Sequence, residues 1–346
     1  MEYLRTIQAD DDDARQGLRA LGALLLGVGA LVLAYRRSAF ADPWGDFVLL
    51  LVALLPALFL YGGGLLAALN TTERRAWHGV FLVLGLLFAL FSFFQFIELV
   101  DGNTGASLNV AWIFGAVAAL GVVAALLAGV RFAMLAAGIA FIVAWFALWD
   151  AILGDDFSSD AGTLRGFSML AAGVLAAAAV GLHWVRRGRH FRPPYDDEHG
   201  DVPAELLTAA GVAFLIGAGV LSATGAIVQG FLFALGPLAP PDAGGFAEPS
   251  LFWDIVLLAG SLLLVLIGAS LRLRGPVYVG AVGLAIFVVL VGLDLDDSSP
   301  SGSVLGWPLV LLLLAAAALV ASVLMPRRDG ADNVAPGLKG SGEVAD

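Results

Sequence analysis

The stretch FVLLLVALLPALFLYGGGLLAAL, residues 47–69, decides the fold class of this chain. It is 23 residues long and contains no charged side chain, and a helix needs roughly 20 apolar residues to cross a hydrocarbon core about 30 Å thick. Its apolar residues follow one another continuously, whereas the strands of a membrane barrel alternate apolar and polar residues. The stretch therefore predicts a transmembrane helix.

Nine further runs have the same character, and together the runs predict a polytopic all-α transmembrane bundle. The 346 residues are 60 % hydrophobic and 14 % charged, with a mean hydropathy of +0.92, against about 45–50 % and about 25 % in an average soluble domain. A soluble fold could not bury so much apolar surface, so we expect an integral membrane protein. The ten predicted spans, which form one transmembrane domain over 17–325, are 17–35, 47–69, 77–99, 108–130, 132–153, 166–185, 205–232, 251–271, 275–293 and 303–325.

The basic residues predict that both termini face the cytoplasm, because cytoplasmic loops of membrane proteins carry an excess of Lys and Arg. With the N-terminus inside, 15 of the 18 basic residues fall on the inner side, and only Arg36, Arg37 and Arg165 fall outside. Residues 1–16 then form an inner tail, and the polar residues 326–346 form a second one that we expect to be disordered. The predominance of Arg over Lys, with much Ala, Val and Gly, indicates a prokaryotic cytoplasmic membrane.

Several classes of function are excluded by what the sequence lacks. There is no cysteine, hence no disulfide, reactive thiolate or cysteine-based metal site. The four histidines lack metal-site spacing, and no phosphate-binding loop of the Walker type is present. No basic domain is available for nucleic acid, and no nucleophile stands with a base and an orienting partner. We therefore expect neither an enzyme nor a bound cofactor.

Four acidic residues stand at the outer ends of predicted spans, namely Glu98, Asp150, Asp254 and Asp294. Burying an ionisable side chain in a membrane is costly, so residues at such positions are candidates for function. Three of them, all except Asp254, also oppose the dipole of their helix, at a cost of roughly 0.3–1 kcal/mol each. One interpretation is an outer acidic rim that gathers cations or protons. The other is that these carboxylates already lie in water.

Two predicted spans contain residues that interrupt helices. The second span carries Pro56 and the run Gly62, Gly63 and Gly64, and the seventh carries several glycines and Gln229. If the ten spans form two halves of five, these two spans correspond, and paired interruptions of this kind are typical of transporter binding sites. A division into helical hairpins is equally compatible with the sequence. The alternative to a transport site is close helix packing through small residues.

The longest inner loop, 186–204, begins with a basic cluster formed by Arg186, Arg187, Arg189 and Arg192. Such a cluster directly after a span can contact the head groups of anionic lipids. The other interpretation is that the cluster only sets the orientation of the chain in the membrane.

The last predicted hairpin carries a resemblance to other proteins. It consists of RLRGPVYVGAVGLAIFVVLVGLDLDD at 272–297 and SVLGWPLVLLLLAAAALVASVLMPRR at 303–328, with Gly306, Trp307 and Pro308 near the start of the second helix. This hairpin resembles those of uncharacterised multi-span bacterial membrane proteins, and the number of spans is similar to that of the drug/metabolite transporter superfamily. The resemblance implies a multi-helix membrane protein and carries over no site residue. Two functions stay open: a small-solute or ion transporter, or a non-transporting scaffold, subunit or lipid-contacting protein.

Overall fold

A computed structural model describes most of the predicted transmembrane domain. The described residues are 45–70, 76–154, 157, 160–188, 202–220, 251–271 and 273–294, together with five helical positions between 21 and 29. Within these ranges every regular element is helical, which confirms the all-α prediction. The tenth predicted span, most of the first and the residues Gln229, Arg189 and Arg192 lie outside the described residues, so the count of ten spans stays a prediction.

Eight helices cover the described ranges from residue 45 onward, and we number them α1 to α8. Their bounds are α1 Asp46–Asn70, α2 Ala76–Leu99, α3 Ser107–Leu127, α4 Arg131–Leu153, α5 Ala161–Gly188, α6 202–220, α7 Leu251–Ser270 and α8 Arg274–Asp294. Seven of them, α1 to α7, are long and apolar enough to cross a membrane, and α8 contains a shorter apolar helix over Arg274–Val288. The sequence therefore builds a multi-pass helical membrane protein.

Small side chains are common inside this bundle. Its interior is rich in alanine, including Ala124, Ala133 and Ala209, which are fully buried, and small residues let membrane helices approach closely. Many large apolar side chains point outward. Leu58 and Phe59 on α1 are 62 % and 63 % exposed, an arrangement that suits lipid rather than water as the surrounding solvent.

The helices pack mainly with their neighbours in the chain. α1 packs on α2, α3 packs on α4, and both α4 and α5 pack on α6. By internal contacts the chain divides into two units, Met1–Leu290 and Val291–Asp346. Of the second unit, the structure describes residues 291–294, which are helical.

The fifth helix is longer than the predicted span 166–185. It begins at Ala161 because Asp160 caps its first turn, with its carboxylate accepting hydrogen bonds from the backbone N–H groups of Gly162 and Thr163, as N-cap residues do. The hydroxyl of Thr163 donates a third hydrogen bond to the same carboxylate. These three bonds, the one from the Thr163 hydroxyl first, lower the pKa of Asp160 below its usual value.

Candidate functional site: an apolar groove

A groove with a volume of about 360 Å³ runs between α3 and α5, over α4. It lies in the C-terminal half of α3, the N-terminal half of α4 and the C-terminal half of α5. All the residues that line it are apolar: Ala118, Ala119, Val122, Leu126, Met134, Ala137, Gly138, Phe141, Val174, Leu175, Ala178, Leu182 and Leu206. Such a lining offers no hydrogen bond to a polar ligand and suits a hydrocarbon.

The floor of the groove is buried, whereas its walls are open to the surroundings. Met134 on the floor is only 2 % exposed, and Leu206 from α6 closes the floor from below. On the walls, Val174 of α5 is 44 % exposed and Leu126 of α3 is 47 % exposed. The groove is therefore a recess in the outward surface of the bundle rather than a sealed cavity.

One glycine on the floor brings α6 up against α4. A Cβ atom added at Gly138 would collide with the Cβ of Ala209, so only glycine permits this separation of the two helices. On the other side of α4, Ala137 lies under Gly121 of α3, where an added Cβ would stand 2.8 Å from the Ala137 Cβ. These close approaches keep α4 deep and leave α3 and α5 standing on either side of it.

Charged residues lie at the end of the groove nearest the short turn 128–130. Arg131 is the first residue of α4 and is exposed, and Glu205 is a half-buried residue next to Leu206 in α6. The positive charge of Arg131 attracts the carboxylate of Glu205. Glu205 was missed as a candidate residue, although the sequence signal is its position as an acidic residue at the start of a predicted span.

Three of the four carboxylates of the predicted outer acidic rim lie with a partner of their own. Glu98 accepts a hydrogen bond of 2.8 Å from the Nε2 of Gln95, and Asp150 accepts one from the hydroxyl of Ser107. Asp254 lies close enough to Arg165 to attract it electrostatically. The side chain of Asp294 lies outside the described residues. The rim therefore stays a prediction, with satisfied carboxylates at three of its four positions.

Arg165, a second charged residue, lies in the interior. It is only 5 % exposed, and its guanidinium lies 5.1 Å from the ring centroid of Trp253, within the range of a cation–π interaction. Together with the attraction to Asp254, this contact ties α5 to the first turn of α7.

The interruption predicted in the second span has a definite geometry in α1. Pro56 lies inside the helix, and a π-helical turn, Leu58–Gly62, follows it. Proline removes one backbone hydrogen bond, and a π turn is one of the ways in which a helix adjusts around such a defect. The helix continues on both sides, so the interruption widens one turn of α1 without breaking it.

The glycines that follow this turn differ in their surroundings. A Cβ atom added at Gly62 or Gly63 would meet nothing within 4 Å, whereas one added at Gly64 would lie 3.0 Å from the Cβ of Phe81. At the π turn of α1, a closer contact than that of Gly64 involves Gly85 of α2, which no sequence pattern indicated. A Cβ there would stand 2.6 Å from the backbone nitrogen of Tyr61.

The hydroxyl of Tyr61 also takes part in packing. It donates a hydrogen bond of 2.8 Å to the carbonyl of Leu120 in α3. In α6, a second π-helical turn covers Ile216–Val220, in the span that the sequence paired with α1. There the hydroxyl of Ser168 in α5 donates a hydrogen bond of 2.6 Å to the carbonyl of Ala213. A hydrogen bond donated by a side-chain hydroxyl thus joins each interrupted helix to a neighbouring helix.

Neither comparison with known proteins nor a search of the described residues for metal-binding groups assigns a function to the chain. No family model, curated protein or solved structure matches the chain. In the part of the chain that the structure describes, no group of three or more His, Asp or Glu side chains could hold a metal ion. The function is therefore inferred from the groove and from the interrupted helices alone.

Proposed function

We propose that this integral membrane protein is a non-transporting, lipid-contacting protein that holds one hydrocarbon chain in the groove between α3 and α5. The observation that supports the proposal is the wholly apolar lining of a recess that opens outward from membrane-crossing helices. The chain would carry out no reaction of its own, in line with the expectation that it is not an enzyme.

The size and the apolar lining of the groove suit a single hydrocarbon chain. Its α5 wall extends over residues 174–182, which at 1.5 Å per residue is about 12 Å. The groove has a volume of about 360 Å³. A hydrocarbon chain whose carbon atoms approach those of the lining side chains to about 4 Å fits in the groove.

The predicted orientation places the groove in the cytoplasmic leaflet. With the N-terminus inside, the turn 128–130 and the C-terminal end of α5 face the cytoplasm. The groove extends from these inner ends to about the middle of the helices. A phospholipid of the inner leaflet of a prokaryotic cytoplasmic membrane is therefore the natural source of the chain.

The experiment that tests this proposal compares two neighbouring residues of α5. Ala178 lines the groove, whereas Ala177 is exposed but does not line it. Ala178→Trp fills the recess, so the purified protein should lose phospholipid that the wild type retains through detergent washing, as counted by native mass spectrometry. Ala177→Trp should retain as much as the wild type. Equal retention by all three proteins would refute the chain site.

Transport of a small solute or ion is the second candidate function. It is favoured by the presence of π-helical turns in both α1 and α6, the two spans that would correspond if the chain consisted of two halves of five. In the predicted orientation these helices run in opposite directions, as in the inverted repeats of many transporters. π turns also recur at functional sites.

A further inference from the structure

We propose that the lipid held in the groove is an anionic phospholipid of the cytoplasmic leaflet, with its head group at the C-terminal end of α5. This inference rests on the hydrocarbon-chain site proposed above and adds the charge of the head group to it.

The groove ends where its helices leave the membrane. Leu126 and Leu182 form its last turn, and α3 ends at Leu127, directly after the first of them. Trp184, two residues beyond Leu182, is 71 % exposed, and exposed tryptophans of membrane proteins mark the level of the lipid head groups. A lipid whose chain fills the groove would therefore have its polar end at this level.

The charges at this level favour a negative head group. Arg186 stands one helical turn after Leu182, and Arg187 follows it, both within α5. Arg131, the first residue of α4, is a further exposed positive charge at this end, and it attracts the carboxylate of Glu205. By their place in the sequence, these two arginines of α5 follow the last groove-lining residue of that helix, and basic residues at a membrane surface attract anionic lipids.

This arrangement joins the basic cluster seen in the sequence to the groove seen in the structure. By itself, the cluster after the sixth predicted span could either contact anionic lipids or only set the orientation of the chain. The α5 wall of the groove, however, leads through Val174, Ala178 and Leu182 to Arg186 at intervals of four residues, and residues four apart are neighbours on a helix. An apolar recess and a cationic end on one helix match the two parts of one phospholipid.

The test is a competition between two lipids on the purified full-length protein. In micelles with equal amounts of phosphatidylglycerol and phosphatidylcholine, native mass spectrometry should show the anionic lipid retained roughly tenfold over the zwitterionic one. The double variant Arg186→Gln, Arg187→Gln should lower this ratio towards one while still retaining phosphatidylcholine, which also shows that the variant is folded. Arg274→Gln, which removes an exposed arginine at the start of α8, should leave the ratio unchanged.

The alternative outcomes separate this inference from the chain site. Equal retention of both lipids by the wild type, with loss of both in Ala178→Trp, would overturn the head-group assignment and leave the chain site standing. Retention that Ala178→Trp does not alter would overturn both. If the wild type is a dimer and Ala178→Trp dissociates it, the groove binds a second copy of the protein. That result would likewise overturn both the chain site and the head-group assignment.

Discussion

At the scale of single residues, the contact between Gly85 and the backbone of the π turn of α1 leaves no room for a side chain. A Cβ at Gly85 would lie 2.6 Å from the nitrogen and 2.7 Å from the Cα of Tyr61, and backbone atoms cannot move aside as the end of a side chain can. We expect Gly85→Ala to destabilise the protein by about 1–3 kcal/mol, as overpacking does. The measurement is the thermal unfolding midpoint in detergent.

The matched control is Gly63→Ala, two residues after Tyr61 and with nothing within 4 Å of the added Cβ. Alanine also has a higher helix propensity than glycine, by about 1 kcal/mol, so the midpoint should stay or rise. A variant at Gly85 as stable as the wild type, with loss of stability at Gly63, would contradict this account of the helix crossing.

Residue-level constraints of this kind could be predicted only in part from the sequence. The run Gly62, Gly63 and Gly64 was conspicuous because three glycines stand together, yet only Gly64 is closely packed. Gly85 was inconspicuous because a glycine in a helix becomes informative only when its neighbour is known. Arg165 stands out in the sequence as one of three predicted outer arginines. Its burial over Trp253, however, depends on the position of α7, which no local sequence pattern predicts.

At the scale of the elements, the continuous apolar runs predicted helices well because length and hydrophobicity are local properties. The structure has helices over 46–70, 76–99, 107–127 and 131–153 where the sequence predicts spans at 47–69, 77–99, 108–130 and 132–153. The π turns could not be predicted in this form, since Pro56 indicates a defect but not how the helix absorbs it. In α6 the π turn Ile216–Val220 contains no proline that would indicate it in the sequence.

The two candidate functions make different predictions for the surroundings of the π turn in α1. The open side of Gly63 faces lipid if α1 only packs against its neighbours, but faces water if the interrupted helix lines a transport pathway. We expect Gly63→Cys, in a chain with no other cysteine, to resist a hydrophilic maleimide in liposomes, because the reactive thiolate requires water. Gly45→Cys, at the exposed start of α1, should react fully. Labelling of position 63 at a similar rate would favour transport over the lipid-contacting function.

At the scale of the whole molecule, the composition of the chain is enough to predict an integral membrane protein. Large apolar side chains on the outside and alanines inside follow from lipid as solvent, because the hydrophobic effect no longer drives large side chains inward. The groove could not be predicted in this way. It arises from the depth of α4 between α3 and α5, which depends on the contacts of Gly121 and Gly138 with residues on other helices.

The orientation of the whole chain decides which leaflet supplies the lipid. It rests on the asymmetry of 15 against 3 basic residues, and single cysteines can test it directly. Gly105, in the turn between α2 and α3, should face outward, whereas Leu271, in the turn between α7 and α8, should face the cytoplasm; both are exposed. A membrane-impermeant thiol reagent on intact cells should label Gly105→Cys at once and Leu271→Cys only after permeabilisation. The reverse pattern would move the groove to the outer leaflet, where the anionic surface potential of the cytoplasmic side is absent. The apolar recess could then still hold a chain, but the head-group assignment at the end of α5 would lose its physical basis.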